Sequence, residues 1–250
     1  NYFRFILFFF ITFQIVIMNK SNSNANEFEF KSKEINISNE NEIIASGEIE
    51  IKNLKGLELK GDNLYYNKVK KILEIEGNVI INDYINNYQI KSEKIIYDEI
   101  ENIVTSQGLT NIKDKQSLEI KTENITYKRL ENKIFSKKNT SINDKHNNKL
   151  KLSDFNLFQN DKIIKSNKVK LIDSKLNIYK LKNLIYNYET GEILGRDLNI
   201  NINNNLSLKP NLPRLKGRYV YSNKDELVVK KAVCTTCNKR NNSSPPWLIS

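Results

Sequence analysis

Apolar and polar residues alternate along most of this chain, and the alternation recurs with a period near 30 residues. Ile49/Ile51, Leu57/Leu59, Leu73/Ile75, Val79/Ile81 and Leu118/Ile120 are spaced by two, which puts both members of each pair on one face of an extended strand. Between them lie clusters of Asn, Lys, Asp and Gly, such as Asn67-Lys68 and Asn82-Asp83, that have the chemistry of turns. Helical spacing is nowhere sustained. The four prolines all follow residue 209, so an uninterrupted antiparallel array is predicted from about residue 28 to 205.

The period is a true repeat. The segments "FKSKEINISNENEIIASGEIEI" (30–51), "LKGDNLYYNKVKKILEIEGNVII" (59–81), "IKSEKIIYDEIENIVTSQGLTNI" (90–112) and "IKTENITYKRLENKIFSKKNTSI" (120–142) share one pattern. Each has a polar pair, an apolar alternation closing on Tyr or Ile, a short polar turn and a second alternation, usually with Gly. Weaker copies follow at 150–171, 181–200 and 215–233, and the register residue runs Ile37, Tyr66, Tyr97, Tyr127, Phe158, Tyr186, Tyr221. A strand with one apolar and one polar face must bury the apolar one, so the repeats predict two facing sheets or one rolled sheet.

The first residues break this pattern. Residues 5–18, FILFFFITFQIVIM, are apolar, follow Arg4 and give way to polar sequence. The stretch falls short of the roughly 20 residues of a membrane span and fits the core of an export signal. Ser23 and Ala25 mark a cleavage site before Asn26. A signal helix over 1–25 is therefore expected, with an uncleaved anchor as the alternative. In both cases the remainder is exported to a compartment where disulfides persist.

Charge adds less. The net charge is +11 over 250 residues, yet lysines occur singly or in pairs among Asn, Glu and Asp, with no run of five basic residues. The surplus reads as surface solvation, with weak attraction to anionic lipid headgroups as the second possibility; nucleic acid is not an expected partner. Catalytic chemistry finds little footing. His146 is the only histidine and sits in the polar turn NDKHNNK, the eight glycines form no phosphate loop, and Glu74/Glu76 read as salt partners on a polar face. Neither an enzymatic activity nor a cofactor or metal is expected.

The remaining motif is "CTTCNKRNNSSPPW" (234–247), which holds both cysteines and the only tryptophan. Structural zinc wants four ligands, and Cys234 and Cys237 have no second pair or nearby His. A redox centre would place the first Cys at a helix N-terminus, whereas this one follows a predicted strand. A local Cys234–Cys237 bridge and bridges to cysteines beyond residue 250 both stay open.

Repeats such as "LKGDNLYYNKVKKILEIEGNVII", with a hydrophobic-x-[AGS]-[DE] start, a Tyr and a closing G-[NE]-[VI]-x-[IV], resemble the OstA-like domain of the lipopolysaccharide transport proteins. The segment "RLKGRYVYSNKDELVVKKAVCTTC…PPWLIS" is similar to the junction in the outer-membrane lipopolysaccharide-assembly (LptD) family, where a periplasmic domain ends in a Cys-containing segment and a barrel begins. The resemblance implies an antiparallel, V-shaped β-jellyroll over 26–205, with 206–250 supplying the last strands and the junction to a C-terminal β-barrel. It implies a domain at the periplasmic face of the outer membrane that takes lipopolysaccharide into a hydrophobic groove. Its implied partners are a periplasmic bridge jellyroll stacked edge to edge and an outer-membrane lipoprotein that accompanies the barrel. It also implies disulfides from Cys234 and Cys237 that tie the domain to the barrel. Relatives anchored in the inner membrane or forming the bridge would share the repeats, as would a secreted β-repeat surface protein. The groove candidates are Ile49, Ile51, Leu57, Leu59, Leu73, Ile75, Val79, Ile81, Leu118 and Ile120, each of which could equally serve plain core packing.

Overall fold

The computed structural model describes residues 29–53, 56–115, 118–203, 214–235 and 248–249. The expected signal helix over 1–25, Cys237 and the Pro-Pro-Trp segment lie outside these. Among the described residues every regular element is a strand: β1 Glu29–Lys31, β2 Glu34–Asn39, β3 Glu42–Asn53, β4 Leu57–Asn67, β5 Ile72–Asp83, β6 Tyr88–Asp98, β7 Ile103–Gln107, β8 Leu109–Asp114, β9 Glu119–Glu123 and β10 Thr126–Lys128. They continue as β11 Lys133–Ser136, β12 Thr140–Asn143, β13 Lys149–Leu152, β14 Phe155–Phe158, β15 Ile163–Ile172, β16 Ile178–Asn187, β17 Ile193–Asn201, β18 Arg214–Ser222, β19 Leu227–Thr235 and β20 Leu248–Ile249. All join one antiparallel sheet, the all-β class that the alternation predicts.

The sheet is folded over on itself along a crease that crosses the strands at mid-length. Register shifts fall side by side on β3, β4 and β5, between Ser46 and Ile49, Lys60 and Asn63, and Glu76 and Val79. Such bulges bend a strand and sharpen its twist. Beyond β5 the bend becomes a break: the first half of β6 pairs with β8 and its second half with β7. Likewise β15 pairs through one half with β14 and through the other with β13. Glycine is needed at this line. Gly108 joins β7 to β8 at φ 81°, and Gly77 sits at φ 79° with Asp62 pressed against the place a Cβ would occupy. Further along the crease Asn124, Asn183 and Asp197 take positive φ instead, the residue types that tolerate it best.

Folding along the crease gives two layers of half-strands, and the inward residues of both merge into one core running from Ile43 to Val220. Tyr88 and Tyr127, on opposite layers, meet edge to face at 5.7 Å between ring centres. Outward positions carry the polar set: Lys94 of β6 bridges Glu74 at 3.0 Å and Glu76 at 2.6 Å on β5. The sheet runs on without change of order through β18 and β19, which continue from β17.

Three details differ from the sequence pattern. Asn82 is still within β5, and the turn begins only after Asp83. In the fifth repeat the buried position is Leu157, 30 residues after Tyr127 and 29 before Tyr186, while Phe158 turns outward under the ammonium groups of Lys133 and Lys165. A one-residue slip moves a side chain to the other face of a strand, and here an aromatic residue keeps its stabilisation outside through cation–π contacts. At the far end Val220 is buried and Tyr221 is not, by the same slip.

Candidate functional site

Each of the ten groove candidates faces inward. Ile49, Ile51, Leu57, Leu59, Leu73, Ile75, Val79, Ile81, Leu118 and Ile120 expose between 0 and 3% of their surface. Leu59, Ile81 and Ile90 lie in one cross-strand row, as do Leu64, Ile75 and Ile95. In this arrangement the ten are core residues with no opening to solvent. An apolar guest reaches them only if the two layers part.

What keeps the layers together is polar and sits at the lips, where the hairpin turns of one layer meet those of the other. Asp83, at the head of the β5–β6 turn, accepts hydrogen bonds from Arg129 Nε at 2.8 Å and Tyr127 Oη at 2.9 Å, both from the opposite lip. Its other oxygen accepts the backbone N–H groups of Ile85 and Asn86. The Asn86 side chain donates to Tyr127 Oη at 2.7 Å, and Gln159 donates across to the Asn86 carbonyl at 2.7 Å. The Asp83 side chain is wholly buried and that of Arg129 nearly so. Burial by itself would raise the Asp83 pKa; the Arg129 hydrogen bond, the Asn86 N–H and the Arg129 charge overcome it and hold the carboxyl below its ordinary range.

A second clamp repeats the plan. Asp144, in the β12–β13 turn, accepts from Tyr186 Oη of the opposite layer and from Asn148, while its backbone-facing oxygen takes the N–H groups of His146 and Asn148. His146, in the polar turn expected of it, also reaches across and donates from Nε2 to the Glu189 carbonyl at 3.0 Å. Asp114 and Asp173 open the equivalent turns and cap them through the Leu118 and Asn177 N–H groups. Sequence reading missed this series. Its signal was present, because Asp83, Asp114, Asp144 and Asp173 recur at the period of the tyrosines.

Between the clamps the interior holds polar atoms with no counterpart. The hydroxyls of Tyr88 and Tyr188 are buried and make no hydrogen bond among the described residues. Burial first, then the neighbouring Tyr188, Tyr127 and Asp114, pushes the Tyr88 pKa far up, so its hydroxyl stays protonated.

At the β2 end the described residues leave part of the inner face exposed. Ile35 and Ile37 belong to the inner face by their pairing with Ala45 and Ile43, yet they are 52% and 64% exposed. Among the described residues no strand lies outside β1 and β2, which both pair with β3.

Cys234 is half-buried in β19 opposite Leu215 and has no disulfide partner among the described residues; its proposed companion Cys237 falls outside them. Among the described residues no cluster of His, Cys, Asp and Glu is arranged to hold a metal. No protein-family model matches the chain, and no curated protein matches it. The class it belongs to is therefore the one its fold defines, a single antiparallel sheet rolled into a jellyroll-like two-layer domain with an apolar interior.

Proposed function

We propose that this domain carries lipopolysaccharide, sheltering the acyl chains between its two layers and handing the lipid to an outer-membrane barrel without making or breaking a bond. The observation that carries this reading is the single apolar interior, sealed by side-chain clamps along its lips and exposed at the β2 edge through Ile35 and Ile37. An unpaired edge with apolar inward residues accepts a further strand. A jellyroll of the same kind stacked on β2 would continue the interior from one protein into the next, which is the role assigned to the periplasmic bridge partner.

Loading follows from the same geometry. Opening the lips about the crease exposes the core, at a cost of about 25 cal/mol per Å² of apolar surface, and acyl chains inserted between Leu59, Ile75 and Ile81 restore that burial. The exchange is close to even, so the lip clamps set how readily it occurs. The unpaired Tyr88 and Tyr188 hydroxyls offer hydrogen bonds to the polar end of the guest. On this reading the domain sits at the periplasmic face of the outer membrane, with the lipoprotein partner bound to the barrel, and Cys234 and Cys237 staple the domain to it.

A photo-crosslinking amino acid placed at Ile51, Leu59 or Ile75 tests the proposal in cells. Adducts with lipopolysaccharide are expected at these positions and not at outward Lys52. Adducts confined to Lys52, or to protein alone, would overturn it.

A further inference from the structure

The outer face of the second half of the sheet carries a charge arrangement that the transport reading does not use. Lys151, Lys170 and Lys180 stand directly opposite one another on β13, β15 and β16. One step toward the crease Lys168, Lys182 and Arg196 do the same on β15, β16 and β17. Directly opposed like charges destabilise an antiparallel pair, and two adjoining triads of cations repeat that cost.

Acidic relief is nearly absent. The lysines line a depression of about 750 Å³ together with Lys121 of β9, and the only carboxylate in its wall is Asp197. Asp197 bonds Lys182 at 3.1 Å. Among the described residues Lys121, Lys151, Lys168, Lys170 and Lys180 make no ion pair. Outside the described residues Glu27 is the sole acidic side chain. The first half of the sheet differs, since Lys60 there is bonded to Glu50 and Glu58 and Lys94 to Glu74 and Glu76.

We propose that this depression binds a ligand bearing two or more phosphates on a polar scaffold. Opposed Cβ atoms on neighbouring strands lie about 5 Å apart, so the ammonium groups form a grid wider than one phosphate can span. A ligand with several phosphates at sugar-like separations satisfies both triads together. The depression is concave, and half-buried Ser141 beside the lysines supplies a hydroxyl for a polyhydroxylated scaffold. The inner faces of the same strands hold Leu150 and Leu171 in the core, while Leu152, Val169 and Leu181 of that core reach the floor of the depression; the lysines and the apolar interior can still be varied separately.

The test uses the full chain with inositol hexakisphosphate as a soluble probe and vesicles containing cardiolipin, whose headgroup carries two phosphates, as a membrane-borne one. Reversing Lys151, Lys170 and Lys180 to Glu should weaken binding by about tenfold or more, judged from the small worth of each exposed ion pair. Reversing Lys68, Lys70 and Lys71, in the β4–β5 turn, makes the same change of net charge and should alter it by no more than about twofold at moderate salt. Lys170→Glu alone separates binding from folding: it should raise the melting temperature of the free chain by relieving Lys151 and Lys180, while reducing the further rise that the probe gives. Binding of the soluble probe identifies a free polyphosphate as a ligand, and binding of vesicles alone identifies a lipid headgroup; both uphold the site. Equal loss in the two triple variants, binding of neither probe, or a Lys170→Glu chain whose probe-induced rise is undiminished would overturn it.

Discussion

The same apolar interior meets two different fates along this molecule. Near the middle, Asp83, Tyr127 and Arg129 join the two lips and leave Leu59 and Ile75 with no solvent exposure. At the β2 end Ile35 and Ile37, set in register on the same inner face, stand more than half exposed. The residue types are alike, so the difference lies in what surrounds them. A buried Ile needs neighbours from both layers, and among the described residues the edge supplies only one set. Closure is thus a local property of the lips, and the proposed strand addition is placed at the end where the described residues leave the inner face exposed.

This comparison can be broken first at the clamp. Asp83→Ala removes the buried carboxylate that faces the Arg129 guanidinium and should cost about 3–5 kcal/mol in denaturant unfolding, whereas removing a solvent-exposed acid would cost almost nothing. Acid should loosen the clamp as well. The folded pKa of Asp83 lies below its ordinary 3.8, so its contribution is complete above that value and is lost as pH falls through the lower folded one. Glu58, lowered from 4.5 to about 2 by hydrogen bonds from Tyr84 and Asn82 against the opposing effect of burial, loses its contribution across the interval between those two values. Stability followed by fluorescence from pH 6 to pH 2 should therefore fall mainly below about pH 4.5, and Asp83→Asn should flatten that fall.

The contrast between middle and edge is sharpened by a matched pair of truncations. Ile75→Ala should cost about 2–5 kcal/mol through lost burial and the cavity it leaves. Removing the second clamp by Tyr186→Phe, which takes one donor from buried Asp144, should cost about 1.5–3 kcal/mol. Ile37→Ala should change stability by less than about 0.5 kcal/mol, and Ile37→Lys should leave folding intact while blocking strand addition at β2, read by size-exclusion of mixtures with a partner jellyroll. A large loss of stability on Ile37→Ala would show that the edge is covered and would remove the contrast.

Much of the fold was legible because the rules behind it are local. Alternation by two specifies a strand, turn residues specify where it ends, and a period near 30 specifies a hairpin-sized unit. The inward set was readable too, residue by residue from Ile49 to Ile120. Where reading failed, the cause was non-local. Phe158 carries the repeat's aromatic signature but lies one residue out of phase, and only the pairing of β14 with β11 and β15 shows Leu157 taking its place inside. The clamps were out of reach for the same reason. Asp83 and Arg129 are 46 residues apart, and no spacing rule joins a turn on one layer to a turn on the other until the crease brings them together.

The sequence by itself determined that this chain forms strands, that one face of each is apolar, and that the strands recur as a repeat, because side-chain alternation and turn chemistry act over a few residues. Tertiary structure decided where the sheet folds, which lips meet and which inward residues stand exposed. Those outcomes depend on bulges stacking across neighbouring strands and on buried charges finding partners from the opposite layer. They are properties of the assembled sheet, and no single strand carries them.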